Sequence, residues 1–281
     1  MHVARLMLMA ALSLCAALAA AAQPGGRERC EKTYPPQMGQ RGKDVIWIPT
    51  LDELVRAMLK AAGTGPDDYV IDLGSGDGKI PIAAARDFGA RALGVEYDAR
   101  LVKLAQCYVR AEELTDRVEI RQADIFATDF SQATVLTLYL LTDLNLKLRP
   151  TILKMRPGTR VVSNSFKMGD WSPDEFIESE IGNTRAYLWI VPADIGGTWT
   201  FRERDGARTF RTQLTQHYQE VAAAAGSAGA ASVRDIKLRG SAIEFTVVGL
   251  AVSPIRLTGE VSGASMRVAG ANVAFVGTRK D

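Results

Sequence analysis

Histidine and cysteine are scarce in this chain. Its 281 residues include two histidines, His2 and His217, and three cysteines, Cys15, Cys30 and Cys107. No pair among them has the spacing of metal ligands, so the sequence predicts neither a structural nor a catalytic zinc site. Cys30 lies in a polar segment and Cys107 in a predicted helix, and we expect both to be unpaired thiols.

The chain also lacks a strong excess of charge of either sign. Its 34 Lys and Arg residues nearly balance 32 Asp and Glu residues, which gives a formal net charge of +2. No strong field therefore indicates a nucleic acid or an acidic membrane as a partner. With 47% hydrophobic and 23% charged residues, the composition is that of an ordinary globular protein. The length allows one large domain or two small ones.

The amino terminus is apolar. Residues 1–22 begin with His2 and Arg5, continue as an alanine-rich apolar run and end in three alanines. This order predicts a secretory signal peptide and therefore export. The run is at the lower limit for a membrane-spanning helix, so an uncleaved membrane anchor is an alternative. Another alternative is that the start codon is wrongly assigned and that translation begins at Met38, which would give a cytosolic protein. The localisation and any membrane association stay open.

The next segment precedes the predicted folded region. Residues 23–43 are rich in proline, glycine and charge, which predicts a linker. Thr50 then stands before an apolar helical pattern, with Glu53 three residues later. This spacing predicts that Thr50 caps the helix in a capping box.

The most informative stretch is residues 70–80, VIDLGSGDGKI. Apolar residues around Asp72 predict a short buried strand, three glycines separated by single residues follow, and an apolar run from Ile80 begins a helix. A strand, a glycine-rich turn and a helix start allow a backbone to approach a nucleotide-like ligand closely. A dinucleotide fingerprint needs a further glycine where Lys79 stands, so this spacing differs from it.

Acidic residues end or follow the next two predicted strands. Glu96 closes the strand at residues 92–96, and a carboxylate there can accept hydrogen bonds from both ribose hydroxyls of an adenosine ligand. Tyr97 beside it is placed to lie against the adenine. The strand at residues 118–122 is followed by Asp124.

Further strands complete an α/β pattern. The run at residues 134–141 (TVLTLYLL) is continuously apolar, as in a parallel strand that is covered on both faces. Tyr139 lies at its carboxyl end, where open α/β sheets bind ligands. Residues 186–191 and 197–201 are predicted to form a closing antiparallel pair. Short alternating runs after residue 202 predict a small antiparallel β unit, and the alanine-rich residues 222–232 predict a flexible loop.

Two motifs resemble those of Rossmann-like S-adenosylmethionine (SAM) methyltransferases. VIDLGSGDG resembles their first motif, in which the position of Asp72 and the loop backbone face the methionine moiety. The ADIF segment resembles a motif in which the position of Asp124 binds the adenine amino group. The set IWIPT, GVEYD, TLYLL, NLKLRP and GTRVVSNSF resembles more specifically bacterial relatives of mitochondrial lysine methyltransferases. Those enzymes modify the ATP synthase c-subunit and the adenine nucleotide translocase, and the resemblance spans residues 45–201.

The resemblance implies a fold, a cofactor and an acceptor. It implies a Rossmann-like sheet with helices on both faces over residues 44–201, followed by a small antiparallel β extension over residues 202–281. SAM is the implied cofactor and a protein lysine the leading methyl acceptor. Many aminomethyltransferases carry an Asn/Asp-Pro-Pro-aromatic turn after strand four, and this chain has LYLL there, which leaves the acceptor open. Tyr139 is the candidate catalytic residue, and the predicted cofactor-binding residues are Thr50, Asp72, Gly74, Ser75, Gly76, Gly78, Glu96, Tyr97, Asp124 and Ile125.

Two other functions are compatible with a glycine-rich loop. One is a nicotinamide-dependent oxidoreductase, against which Lys79, Asp72 and Asp124 argue. The other is a non-catalytic SAM- or nucleotide-binding protein, exported to a place without a supply of the cofactor. In that second case, the intact glycine loop and the acidic residues favour a protein that still binds its ligand.

Overall fold

The computed structural model describes residues 25–178, 184–224 and 231–280. The predicted signal peptide at residues 1–22 and the centre of the predicted loop at residues 222–232 lie outside the described residues. Within the described residues, no helix has the length and apolar character needed to cross a membrane.

The described chain contains two sheets and a set of helices. The helices are α1 (Gly26–Thr33), α2 (Asp52–Ala61), α3 (Lys79–Phe88), α4 (Ala99–Ala111) and α5 (Thr142–Ile152). The strands of the first sheet are β1 (Tyr69–Leu73), β2 (Arg91–Glu96), β3 (Val118–Gln122), β4 (Val135–Leu138), β5 (Arg160–Asn164), β6 (Glu175–Glu178) and β7 (Arg185–Ile190). Those of the second are β8 (Gly197–Glu203), β9 (Thr209–His217), β10 (Glu220–Ala223), β11 (Ser232–Arg239), β12 (Ala242–Val248), β13 (Ile255–Ser262), β14 (Ser265–Gly270) and β15 (Val273–Lys280).

The first sheet has the order β3-β2-β1-β4-β5-β7-β6. Strands β1 to β5 pair in parallel, and β7 is antiparallel to β5 and β6. Ile71, Leu73 and Leu136 are buried within it because helices cover both faces. The chain order reverses between β1 and β4, which is where open α/β sheets bind ligands. The prediction of a Rossmann-like sheet is confirmed.

The predicted pair at residues 186–191 and 197–201 is wrong. β7 pairs with β5 and β6, whereas β8 pairs with β9 and β15 in the second sheet. Both segments have the composition of strands, but that composition does not say which partner each strand finds. The two sheets therefore meet between Ile190 and Gly197, ahead of the predicted boundary after residue 201.

The second sheet is an antiparallel meander, as predicted for the C-terminal extension. Its order is β10-β9-β8-β15-β14-β13-β12-β11, and β10 lies against β11. The sheet therefore curls on itself, and we call it the C-terminal barrel (β8–β15). Aromatic side chains fill its interior; the rings of Phe201 and Phe210 stack with centroids 4.6 Å apart.

The predicted linker at residues 23–43 begins with a helix that is bonded to the sheet domain. α1 packs on α4, and Cys30 forms a disulfide with Cys107, with 5.7 Å between the two Cα atoms. Arg27 Nε also pairs with Glu112 at 2.5 Å. The expectation of two unpaired thiols is wrong. The two cysteines are 77 positions apart, and the packing of α1 on α4 brings them together.

We expect Cys107→Ser to lower the free energy of unfolding by about 2–4 kcal/mol, because the crosslink restricts the unfolded chain across a long loop. Urea unfolding of the oxidised protein measures it. With dithiothreitol present, wild type and variant should unfold at similar urea concentrations. A wild-type protein whose unfolding does not respond to dithiothreitol would contradict the disulfide.

Candidate active site

A cavity of about 260 Å³ lies at the carboxyl ends of the parallel strands. Ten of the eleven predicted site residues line it, and Gly78 does not. The lining predicted residues are Thr50, Asp72, Gly74, Ser75, Gly76, Glu96, Tyr97, Asp124, Ile125 and Tyr139. Within the described residues no group of three or more His, Cys, Asp or Glu side chains could hold a metal ion.

The loop between β1 and α3 depends on backbone conformations that favour glycine. Gly74, Gly76 and Gly78 have φ angles of 80°, 55° and 78°. Gly74 and Gly76 line the cavity. A Cβ at Gly78 would lie 2.9 Å from the Cβ of Ala105, so this glycine allows α3 to begin close to α4. Gly78 is thus a packing position rather than a wall of the cavity.

Asp72 is a buried carboxyl group beside this loop. Its side chain is 2% exposed, and its Oδ1 accepts a hydrogen bond of 2.7 Å from Thr137 Oγ1. Burial raises the pKa of Asp72 to about 7, and the hydrogen bond from Thr137 opposes that rise. The nearby carboxylates of Glu96 and Asp77 raise the pKa further. A cation placed here would favour the ionised form.

Glu96 is held at the end of β2 by two backbone groups. Its Oε2 accepts a hydrogen bond of 2.8 Å from the amide of Gly76, and its Oε1 accepts one of 2.8 Å from the amide of Asp98. Each carboxylate oxygen can accept about two hydrogen bonds. The group is therefore oriented and retains capacity for further donors.

Two residues of the cavity wall, Thr50 and Ser75, carry hydroxyl groups. Ser75 Oγ is buried and has no hydrogen-bond partner among the described residues. Thr50 Oγ1 accepts a bond of 3.2 Å from Asn164 Nδ2, which leaves its own hydrogen to donate. The predicted capping role of Thr50 is wrong, since α2 begins at Asp52 with Leu51 at its N-cap. Thr50 is turned toward β5 instead.

One wall comes from a segment that spans the end of the predicted linker at residue 43. We call residues 39–47 the N-terminal hairpin, because the amide of Gly39 donates to Trp47 O and that of Trp47 donates to Gln40 O, each at 2.9 Å. The Trp47 indole lies over the glycine loop, since a Cβ at Gly76 would be 2.4 Å from its Nε1. The sequence signal that pointed to this wall was the IWIPT segment, which is part of the resemblance to the lysine methyltransferases.

Two lysines tie this wall to the rest of the site. Lys43 Nζ contacts Asp124 Oδ2 at 2.6 Å and lies 5.6 Å from the centroid of the Tyr97 ring. The hydrogen bond from Lys43 lowers the pKa of Asp124. Lys79 Nζ donates to the backbone oxygen of Thr50 at 2.9 Å and pairs with Asp52 at 2.9 Å. Both lysines were missed as site residues, and both have carboxylate partners.

The other end of the cavity, at β4 and β5, is apolar. Tyr139 follows the last residue of β4, and its ring centroid is 6.3 Å from that of Phe166, which follows β5. The remaining described lining residues at this end are Leu140, Leu141 and Leu144. This end can exclude water from a group that enters it.

Comparisons with known proteins identify the family. The model of the ANTKMT methyltransferase domain matches residues 72–175. A protein-lysine N-methyltransferase of Saccharolobus islandicus is 41% identical over 151 residues, which is 52% of this chain and 94% of that protein. The chain belongs to the SAM-dependent methyltransferases. The solved RNA methyltransferase from Salinibacter ruber, in complex with S-adenosyl-L-homocysteine, is 46% identical with a TM-score of 0.51, over 53% of this chain and 96% of that one.

The methyltransferase assignment confirms the predicted enzyme class and the predicted cofactor, SAM, and the oxidoreductase alternative is wrong. The cavity fits this cofactor on its own chemistry. It offers a buried carboxyl at Asp72 to an ammonium group and spare acceptors on Glu96 to hydroxyls. The C-terminal barrel lies beyond the residues that match the family model.

Proposed function

We propose that this methyltransferase is a protein-lysine N-methyltransferase. The observation that carries the proposal is the 41% identity to the Saccharolobus islandicus protein-lysine N-methyltransferase over 94% of that protein. The human lysine N-methyltransferase of the ATP synthase c-subunit is also similar, at 28% identity over 42% of this chain and 51% of that protein. The RNA methyltransferase from Salinibacter ruber makes RNA the second candidate acceptor.

The surface around the cavity favours a protein acceptor over RNA. Nine large hydrophobic side chains are exposed among the described residues, and four of them line the cavity: Ile46, Ile48, Tyr97 and Leu141. An exposed apolar patch of this kind is typical of a protein contact. RNA would bring phosphates that need free Lys or Arg. The basic residues in the described lining are Lys43 and Lys79, and both are paired with carboxylates.

The proposed cofactor contacts follow from the positions of the polar groups. Asp72 and the backbone of the glycine loop, including Ser75, would hold the methionine moiety, with the Thr50 hydroxyl as a donor. Glu96 would bind the ribose hydroxyls. The adenine would lie between Tyr97, Asp124 and Ile125. The Asp124 carboxylate accepts one bond on each oxygen, from Lys43 Nζ and from the Phe126 amide, so it keeps acceptor capacity for the adenine amino group. SAM supplies a methyl group that its sulfonium already activates.

The chain's own contribution to the transfer would be positioning and exclusion of water. A lysine acceptor must lose its proton before it can attack. The apolar wall at β4 and β5 would lower the pKa of such a lysine, because burial disfavours the charged ammonium. Tyr139 and Phe166, on either side of this end, would direct the amine toward the cofactor.

We expect Glu96→Ala to weaken SAM binding by about 1.5–3 kcal/mol, the range for hydrogen bonds to a charged group. Asp124→Ala should cost less, because water can replace one adenine contact. Calorimetric titration with SAM measures both, and competition with adenosine separates the two. Asp129→Ala, on an exposed carboxyl outside the cavity lining, is the matched control. SAM affinity equal to wild type in Glu96→Ala would refute the ribose contact.

The acceptor class is tested with methyl-tritiated SAM and an extract of the native cells. Label that survives ribonuclease, disappears with protease and elutes as ε-N-methyllysine after acid hydrolysis is the expected result. Label that ribonuclease removes would overturn the lysine proposal in favour of RNA. Gly76→Val serves as the inactive control, so that endogenous transferases in the extract are subtracted.

A further inference from the structure

The loop after β5 is held from the α5 side by two residues. This loop, residues 166–172, contributes Phe166 to the cavity. Asn145 Nδ2 donates to the backbone oxygens of Phe166 at 3.3 Å and of the next residue at 3.4 Å. Arg149 donates to the backbone oxygen of Met168 at 2.8 Å. Asn145 and Arg149 lie one helical turn apart and are the Asn and Arg of the NLKLRP segment.

The C-terminal barrel holds the same loop from the opposite side. Gln219, in the turn between β9 and β10, accepts a hydrogen bond from Trp171 Nε1 at 2.8 Å and donates to the backbone oxygen of Ser172 at 2.7 Å. The ring of Tyr218 stacks on Trp171 with centroids 5.6 Å apart. The Tyr218 hydroxyl donates to Asp170 at 3.2 Å. Tyr218 and Gln219, which we call the barrel turn, therefore contact three consecutive residues of the loop, 170 to 172.

The contacts at the turn are specific rather than incidental. Tyr218 has a φ angle of +56°, in the left-handed region that a tyrosine rarely adopts. Trp171 is fully buried, and its backbone oxygen accepts a bond of 2.9 Å from Trp189 Nε1. Loss of the Gln219 side chain would remove the partners of the Trp171 indole N–H and of the Ser172 backbone oxygen together, which frees this part of the loop to move.

A displacement of Trp171 would reach the cavity. Met168, also fully buried, forms an isolated bridge with Trp171, and Phe166 lies two residues before Met168. Close-packed interiors transmit such shifts because there is little free volume to absorb them. The distance that would change is the 6.3 Å between the rings of Phe166 and Tyr139.

We propose that the barrel turn is a positioning element for the acceptor side of the active site, with Tyr218 and Gln219 as positioning residues for Phe166. The proposed adenosine contacts lie at the β2 and β3 end of the cavity, so the β4 and β5 end is left for the acceptor. The inference rests on the proposed function in that the acceptor enters at this end. The barrel turn lies outside residues 72–175, which match the family model. The C-terminal barrel therefore supplies a positioning contact that the matched part of the chain does not contain.

The test compares full-length variants in three measurements. Gln219→Ala should speed amide hydrogen exchange in residues 166–172 at least tenfold and lower the initial rate of methyl transfer to the native-cell acceptor fraction at least fivefold. The dissociation constant for S-adenosylhomocysteine should stay within twofold of wild type. Arg256→Ala is the control, since Arg256 pairs with Glu244 on the exposed surface of the barrel, and it should change none of the three.

Tyr218→Phe keeps the ring on Trp171 and removes the bond to Asp170, so its effects should be in the same direction and smaller. It also keeps the proposal testable if Gln219→Ala does not fold. Unchanged loop exchange and an unchanged rate in both variants would overturn the proposal. So would an equal loss of rate and of S-adenosylhomocysteine affinity, which indicates general destabilisation. If wild type labels RNA instead of protein, the lysine proposal fails, and the same three measurements with RNA as the acceptor still decide the role of the turn.

Discussion

Gly76→Val will bind no measurable SAM and will keep the circular dichroism spectrum of the wild type. Gly76 has a φ angle of +55°, where a branched side chain is strained, and its Cβ would lie 2.4 Å from Nε1 of Trp47. The new side chain must push the N-terminal hairpin away from the glycine loop and occupy the space that the cofactor needs. Calorimetric titration with SAM measures the loss.

Gly63→Val is the matched control for this variant. Gly63 has a φ angle of +60° in the turn after α2, and a Cβ there meets nothing within 4 Å. The control therefore imposes similar backbone strain without a contact at the cavity. We expect it to lower the midpoint of thermal unfolding and to bind SAM within twofold of wild type. If Gly76→Val bound SAM as wild type does, the glycine loop would not be the cofactor site.

Asp72→Asn should weaken SAM binding by about 3–5 kcal/mol, the cost of leaving one partner of a buried charge pair without its counterpart. The free energy of unfolding at pH 8 should not fall. The pKa of Asp72 is raised to about 7 in the folded protein, so its ionisation is less favourable there than in the unfolded chain. The wild type therefore loses stability as pH rises from the pKa of the unfolded state toward 7. The neutral amide of the variant does not ionise and avoids that loss. Calorimetry and urea unfolding measure the two quantities.

The same carboxyl predicts the pH dependence of wild-type binding. An ammonium group of the ligand favours ionised Asp72, so SAM affinity should fall as pH decreases below about 7, where the free protein holds this proton. Asp72→Asn should show no such fall between pH 5.5 and 7.5. Thr137→Val removes the hydrogen bond that lowers the pKa, and it should move the midpoint to higher pH. A wild-type affinity that does not change across this range would exclude Asp72 as the ammonium partner.

Much of the sheet domain could be predicted because its signals are local. The apolar run before the glycine loop, the acidic residue that ends β2 and the continuous apolar run of β4 each depend on neighbours along the chain. The carboxyl ends of parallel strands lie on one edge of a sheet, so positions after several strands could be assigned to one site. These positions, together with those that the family resemblance implies, make eleven predicted site residues, of which ten line one cavity.

What the sequence did not reveal concerns contacts between distant segments. Gly78 carries the same local signal as Gly74 and Gly76, but it lies outside the cavity lining, and a Cβ there would be 2.9 Å from that of Ala105 on α4. The N-terminal hairpin has no periodic pattern of its own, and it is ordered by what it covers. Thr50 has the spacing of a capping residue, and the neighbouring Asn164 of β5 engages it instead.

By itself, the sequence determined the Rossmann-like domain and a glycine loop for a nucleotide-like ligand, because these depend on short patterns whose geometry is the same in any fold that contains them. The resemblance of those patterns to a known family implied SAM as the cofactor. The tertiary structure alone decided that Cys30 meets Cys107, that β8 joins the C-terminal barrel and that the barrel turn contacts the loop of Phe166. These partners are far apart along the chain, and their meeting depends on how whole elements pack. No local pattern encodes that packing.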